Sequence, residues 1–197
     1  MITTANRIGE VIEASTTQVL AQCYQLYSSP PLGTLIRSGS QGDAIYGIIV
    51  NISTQSFEPG RRAIARGHHA DNEDELYREN PQLNRLLNTH FTAKTVGYGH
   101  GDRFHHTLPP QPPRIHTFVH ACDGKEIQGF TESLAFLRLL VSNGTPTDDE
   151  ATASLLVMAT QKRPNPYSFR LKAGQELARL LGNEPLRLNS LLERLSP

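Results

Sequence analysis

The stretch Ala44-Ile45-Tyr46-Gly47-Ile48-Ile49-Val50-Asn51-Ile52-Ser53 decides the fold. Tyr46, Ile48, Val50 and Ile52 fall on one face of an extended chain, and Gly47 and Asn51 on the other. That is the period of two of a β-strand. Gly47 interrupts a β-branched run, which marks a bend or a close backbone approach. Working outward, residues 7–14, 18–26 and 34–38 read as strands before it, and residues 91–98 and 115–122 after it. Ser28-Ser29-Pro30-Pro31 and Ser38-Gly39-Ser40-Gln41-Gly42-Asp43 supply the turns. Short strands spaced by turns predict a sandwich or a small barrel.

Two segments break the pattern. Asp71-Asn72-Glu73-Asp74-Glu75 reads as a solvated loop or a helix start rather than a metal site. Asn80-Pro81 reads as an N-cap and first helical residue, with Leu83, Leu86 and Leu87 on one face. From Phe130 onward the period becomes helical. Leu134, Leu137, Leu140 and Val141 form a stripe that Asn143-Gly144 would end. Thr147 and Glu150 read as a capping box opening a helix that buries Leu155, Leu156, Met158 and Ala159. Asn165-Pro166 starts another helix, and residues 186–195 a last one.

The chain has 197 residues and no net formal charge. Its length suffices for a core without disulfides or metals, and its neutrality argues against generic affinity for phosphate backbones. Cys23 and Cys122 are the only cysteines and read as buried free thiols of a reducing compartment. No charged-then-apolar leader is visible. The longest near-apolar stretch falls far short of the roughly 20 residues of a membrane helix, so no membrane insertion and a cytoplasmic location are expected.

Familiar catalytic chemistry is missing from the sequence. A phosphate-binding loop needs a lysine after glycine and before Ser or Thr, and Lys94, Lys125, Lys162 and Lys172 all lack that context. Gly97-Tyr98-Gly99-His100-Gly101 lacks the spacing of a dinucleotide loop and runs into prolines instead of a helix. No nucleophile elbow or zincin motif occurs. No cofactor is expected.

The candidate site residues fall into two groups. All 8 histidines lie between His68 and His120. His116, His120 and Cys122, at even spacing on an expected strand, are metal candidates, and His105-His106 would approach from the preceding loop. Against this, positions two and four apart on a strand are separated by roughly 7 and 13 Å, so both histidines reach one ion only across a bend. The alternative is that they are hydrogen-bonding groups, or a contact that titrates near neutrality. Arg163, Arg170, Lys172 and Arg179, joined by Arg187 and Arg194, are partner-binding candidates on a basic helical face. The alternative there is a solvated surface, with only Tyr167 and Phe169 nearby to stack on bases.

Arg7-Ile8-Gly9-Glu10-Val11-Ile12-Glu13-Ala14-Ser15-Thr16 resembles the opening strand of the HAS barrel, the domain shared by HerA-type translocases and the rotary ATP synthase. Gly33-Thr34-Leu35-Ile36 is similar to its glycine-led strand, and residues 45–52 to its hydrophobic strand with a central glycine. Thr95-Val96-Gly97-Tyr98 and the later Leu108-Pro109-Pro110-Gln111-Pro112-Pro113 look like the exit of such barrels toward the ATPase. The resemblance covers residues 7–122; where the family continues into its ATPase, this chain turns helical.

The expected fold is therefore α+β: a small closed β-barrel of about six strands, then a helical region of about three to four helices. Residues 1–129 would form the HAS-like barrel with a helical insertion near 70–89, and residues 130–197 the helical region packed on it. The resemblance implies a non-enzymatic adaptor or assembly module contacting another protein, such as a ring-forming ATPase or an ATP synthase subunit. The alternatives are a nucleic-acid-associated accessory protein using the basic helices, and a histidine-based metal enzyme.

Overall fold

A computed structural model of the chain describes residues 7–40, 42–58, 60, 62–69, 71–142 and 144–195. β1 (Arg7–Ala14) and β2 (Gln18–Cys23) form a hairpin. Ser15 ties its turn, its hydroxyl accepting from the N–H groups of Thr17 and Gln18. β3 (Leu35–Ser38) pairs with β4 (Ile45–Ser56), β4 with β5 (Leu87–His100), and β5 with the short β6 (Arg103–His105). β7 (Phe118–Ala121) lies between β1 and β3. All pairings are antiparallel, and β2 also pairs with β5. The order β1-β2-β5-β4-β3-β7 thus returns to β1: a closed ring, with β6 appended to β5.

Strand bounds differ from the sequence reading in several places: β2 ends at Cys23 rather than at residue 26, and β3 begins at Leu35 rather than at residue 34. β4 and β5 are longer than expected at their shared end, running to Ser56 and from Leu87. β7 begins at Phe118 rather than at residue 115, because His116 has φ 67, a left-handed conformation that breaks a strand. β6 lies inside the segment read as a loop. The turn read at residues 38–43 stands, though Gln41 lies outside the described residues, as do residues 1–6.

Alternation along the strands separates two cores. Ile36, Ile49, Val11, Val19, Phe91 and Val119, drawn from each strand of the ring, pack inside it. Their neighbours Leu35, Ile48 and Tyr46 point outward and are equally buried, together with Val96. Helices provide that burial.

The helical part is larger than the sequence suggested. Within the insertion, α1 (Glu73–Glu79) is capped by Asn72, which accepts from the Glu75 N–H, and the acidic run forms its first turn. Asn80 closes this helix instead of opening the next, both its backbone N–H and its side-chain amide donating to the Leu76 carbonyl. α2 (Leu83–Leu86) is a single turn, and Leu87 already belongs to β5. α3 (Gly124–Phe130) starts the helical part ahead of residue 130, opened by a capping box of Asp123 and Glu126. α4 (Leu137–Val141), α5 (Pro146–Gln161), α6 (Pro166–Leu180) and α7 (Pro185–Leu195) follow. The capping box of α5 is Thr145 with Asp148, two residues ahead of the expected one, because Pro146 takes the first helical position. Met158 is only half-buried, whereas Leu155, Leu156 and Ala159 are buried. Asn143 lies outside the described residues.

α5 seats directly on the ring. Gly33 has φ +81, and a Cβ there would stand 2.4 Å from the Ser154 Cβ and 2.7 Å from the Ala151 carbonyl oxygen. Lys94 on β5 pairs with Asp148 in the first turn of α5 at 3.2 Å. Phe130 and Phe136 complete the junction, Phe130 stacking on Tyr46 with centroids 5.0 Å apart.

Two substitutions test this packing. Gly33→Ala is expected to lower unfolding stability by about 2–4 kcal/mol, from the left-handed backbone and the clash with α5. Gly47→Val is expected to cost about 1–3 kcal/mol, since its Cβ already meets the Ala93 Cβ at 3.1 Å and the Lys94 carbonyl at 3.3 Å. Denaturant midpoints of the two variants provide the check, and an unchanged Gly47→Val midpoint would mean that the site yields without strain.

Candidate interaction surface

On the side of β4 that faces β3, pairing ends at Ile49, whose N–H donates to the Thr34 carbonyl and whose carbonyl accepts from Gly33 N–H. The register of β4 against β5 shifts between Ile49 and Asn51, a bulge at the point where β3 stops. β4 and β5 continue together, Ser53 opposite His90 and Ser56 opposite Leu87; β2 pairs with the far side of β5 as far as His90, so the ribbon is two-stranded over Thr54–Ser56. Asn51, Ile52, Thr54 and Gln55 are exposed there. The Thr54 and Thr89 hydroxyls hydrogen-bond across the ribbon at 2.8 Å, and Gln55 meets His90 Nδ1 at 3.2 Å.

Two connections of the ring, β2 to β3 and β4 to β5, meet at this end. Tyr27, with φ 62, donates its N–H to the Thr89 hydroxyl at 2.8 Å. Its own hydroxyl hydrogen-bonds that of Tyr77 on α1, which pushes Tyr77 up to about 12. Thr54, Ser56, Leu87, Tyr27 and Arg62 border a hollow of about 900 Å³. A smaller one shares Ser56, Arg62, Ala63 and Leu87 and adds Ile64, Leu83 and Leu86. Around them Phe57 is 62% exposed, Ile64 69%, Tyr27 58% and Leu86 40%. Such a concentration of exposed large apolar groups at one end marks a surface suited to contact. The sequence carried one sign of it: after Ile49, residues 50–56 continue with β-branched and polar side chains and no breaker.

The metal candidates do not converge. His116 sits in the turn before β7, its exposed ring 3.5 Å from Glu10 Oε2. His120 is buried on β7 between its cross-strand neighbours Arg7 and Arg37. Cys122 lies beyond the strand in the core beneath the helices, where burial raises its thiol well above the usual range. Among the described residues no three His, Cys, Asp or Glu side chains are placed to hold one ion. His105 stacks on Tyr98, and His106 meets the Phe130 ring edge to face, with His106 Nε2 donating to the Phe130 carbonyl at 3.0 Å.

Three of the six basic candidates, Arg163, Arg187 and Arg194, tie helical segments together, and Arg179 is paired within its own helix. Arg163 lies over the Phe169 ring, donates to the Thr131 hydroxyl at 2.7 Å and pairs with Glu132 at 3.3 Å. Arg179 grips Glu176 through both of that residue's carboxylate oxygens. Arg187 does the same to Asp149, at 2.7 Å for each bond, and donates to the Val141 carbonyl. Arg194 meets Glu150 at 2.7 Å. Arg170 and Lys172 have no acid at ion-pair distance among the described residues. Among those residues, no helix is long and apolar enough to cross a membrane.

The chain matches no protein-family model and no curated protein.

Buried imidazoles give the protein a definite response to acid. Burial holds His90, His106 and His120 below the ordinary value of 6.5, and at His120 the charges of Arg37 and Arg7 add to it. The unfolded chain therefore binds more protons once the pH drops below 6.5. Stability is fully present above that value and is lost as pH falls through the window beneath it. Asp148 acts in a lower window: burial raises its carboxyl, but hydrogen bonds from Thr145 and Lys94 outweigh that and hold it below 3.8. The thermal midpoint is expected to be level near about pH 7–8 and to decline toward about pH 5, with His120→Gln removing part of the decline. A midpoint constant across that range would contradict the assignment.

Proposed function

We propose that this protein is a non-enzymatic assembly module, and that the apolar end of the β4–β5 ribbon is where it holds another protein. The observation that carries the reading is the exposure of Tyr27, Phe57, Ile64 and Leu86 around adjoining hollows. The closed ring is in this reading a small barrel of the HAS type, supported by its closure through the β2–β5 and β1–β7 pairings. A ring-forming ATPase or an ATP synthase subunit in the cytoplasm is the partner class that the resemblance implies. The helices cover one wall of the barrel and leave the ribbon end uncovered. Nucleic-acid binding draws less support, because Arg163, Arg179, Arg187 and Arg194 are held by neighbouring acids.

Crosslinking mass spectrometry on the protein at native expression level tests the reading. Crosslinks are expected to run from residues 54–66 to one stoichiometric partner. The double variant Phe57→Ser/Ile64→Ser is expected to weaken that partner's binding by at least about tenfold while the thermal midpoint holds. Crosslinks confined to α6 and α7, or binding indifferent to the double variant, would move the contact elsewhere. Phosphate release from magnesium ATP that a substitution in this chain abolishes would overturn the non-enzymatic reading.

A further inference from the structure

The free edge of the ribbon is a more specific feature than its apolar end. Phe57 N–H donates to the Leu86 carbonyl, which continues the β4–β5 ladder by one residue. In an antiparallel ladder the bonded residues alternate. Ser53 and Gln55 therefore turn their backbone groups toward β5, and Ile52, Thr54 and Ser56 turn theirs away from it. β3 reaches only as far as Ile48 in register, with Thr34 and Gly33 bonding Ile49. Past that point no backbone hydrogen bond from another segment reaches this edge among the described residues.

Proteins protect such edges with lysine, proline, inward charges or a covering segment. Residues 50–56 here are Val-Asn-Ile-Ser-Thr-Gln-Ser, with neither a charge nor a proline, and the first charged side chain beyond is Glu58. The bulge lies at the root of the ribbon and not along it. β2 pairs with the far side of β5 as far as His90, so the open ladder is the β4 edge alone, and an added strand would satisfy it.

We propose that the added strand is the same edge of a second copy of this chain, paired antiparallel about a two-fold axis at Ser53. This rests on the reading of the ribbon as a contact surface and names its first partner. The argument for a second copy is the self-complementarity of the strand. With Ser53 opposite Ser53, Ile52 faces Thr54 and Asn51 faces Gln55, so β-branched and amide side chains pair with their own kind and no like charges meet. Ile52 then exchanges both backbone bonds with Thr54 of the second copy, and Thr54 with its Ile52. A two-fold contact closes on itself and yields a dimer, not a fibre.

Sedimentation velocity on the full chain across a dilution series tests the dimer, and charge variants test the axis. Ser53→Lys and Ser53→Asp each place like charges opposite one another, and each is expected to weaken the dimer by roughly fivefold. Mixed in equal amounts, they are expected to pair at least as tightly as the parent chain. Ser53→Cys is expected to give a disulfide-linked dimer on mild oxidation, since Cys23 and Cys122 are buried; it serves as the readout if a charged variant fails to fold. A monomer at every concentration overturns the inference. So does a dimer indifferent to residue 53, or a mixture no tighter than its components. A monomer that still crosslinks another protein through residues 54–66 would overturn the two-fold alone and leave the assembly reading standing.

Discussion

The structure depends on one wall of strands that is apolar on both faces. Along β3 and β4, Ile36 and Ile49 fill the interior of the ring while Leu35, Tyr46 and Ile48 face outward with almost no exposure. A ring of this size closes its backbone edges but cannot cover its own outer face. Burying each such side chain contributes roughly 1.5–3 kcal/mol, so this wall requires a second layer. α5 supplies most of it, and comes close enough because Gly33 lacks a Cβ where the helix backbone passes. Phe130, Phe136 and Leu140 fill the remaining space. Ring and helices thus share a core, and neither presents a finished surface without the other.

Ion pairs then fix how the second layer sits. Lys94–Asp148 joins β5 to the start of α5, and Arg187–Asp149 joins α7 to the same turn. Arg37 Nε and Glu126 Oε1 lie 2.8 Å apart between β3 and α3, as an ion pair without the alignment of a hydrogen bond. Pairs of this kind contribute little net stability where burial is deep, yet removing one partner strands the other. Their weight is orientation. They also explain how a chain with a basic C-terminal composition presents a largely compensated helical surface.

The ribbon is the counterpart of this closure. β4 outruns β3, and from Val50 to Ser56 it keeps β5 on one side and no strand on the other. Tyr27 and the insertion carrying α1 and α2 support one side of that extension and leave apolar groups uncovered. Helices cover the wall, and the ribbon end keeps its β4 edge unpaired and its apolar groups exposed among the described residues.

Local chemistry was legible in the residues themselves. Period-two alternation identified β4, and residues 7–14 coincide with β1. Asn165 caps α6 as its position before Pro166 implied, and the acids at 73–75 open α1. These depend on neighbours within one turn or one strand. Contacts between distant segments were not legible. Even spacing seemed to align His116 with His120, but a left-handed residue at 116 put them in different surroundings. Arg163 and Arg187 looked free because their partners Glu132 and Asp149 lie far from them in sequence. The extension of β4 beyond β3 was equally hidden, since a strand's own residues show that it is extended but not which neighbour stops first. Composition and spacing determined which segments are strands and helices; ring closure and helix docking, which join residues remote along the chain, decided which charges are spent and which edge remains open.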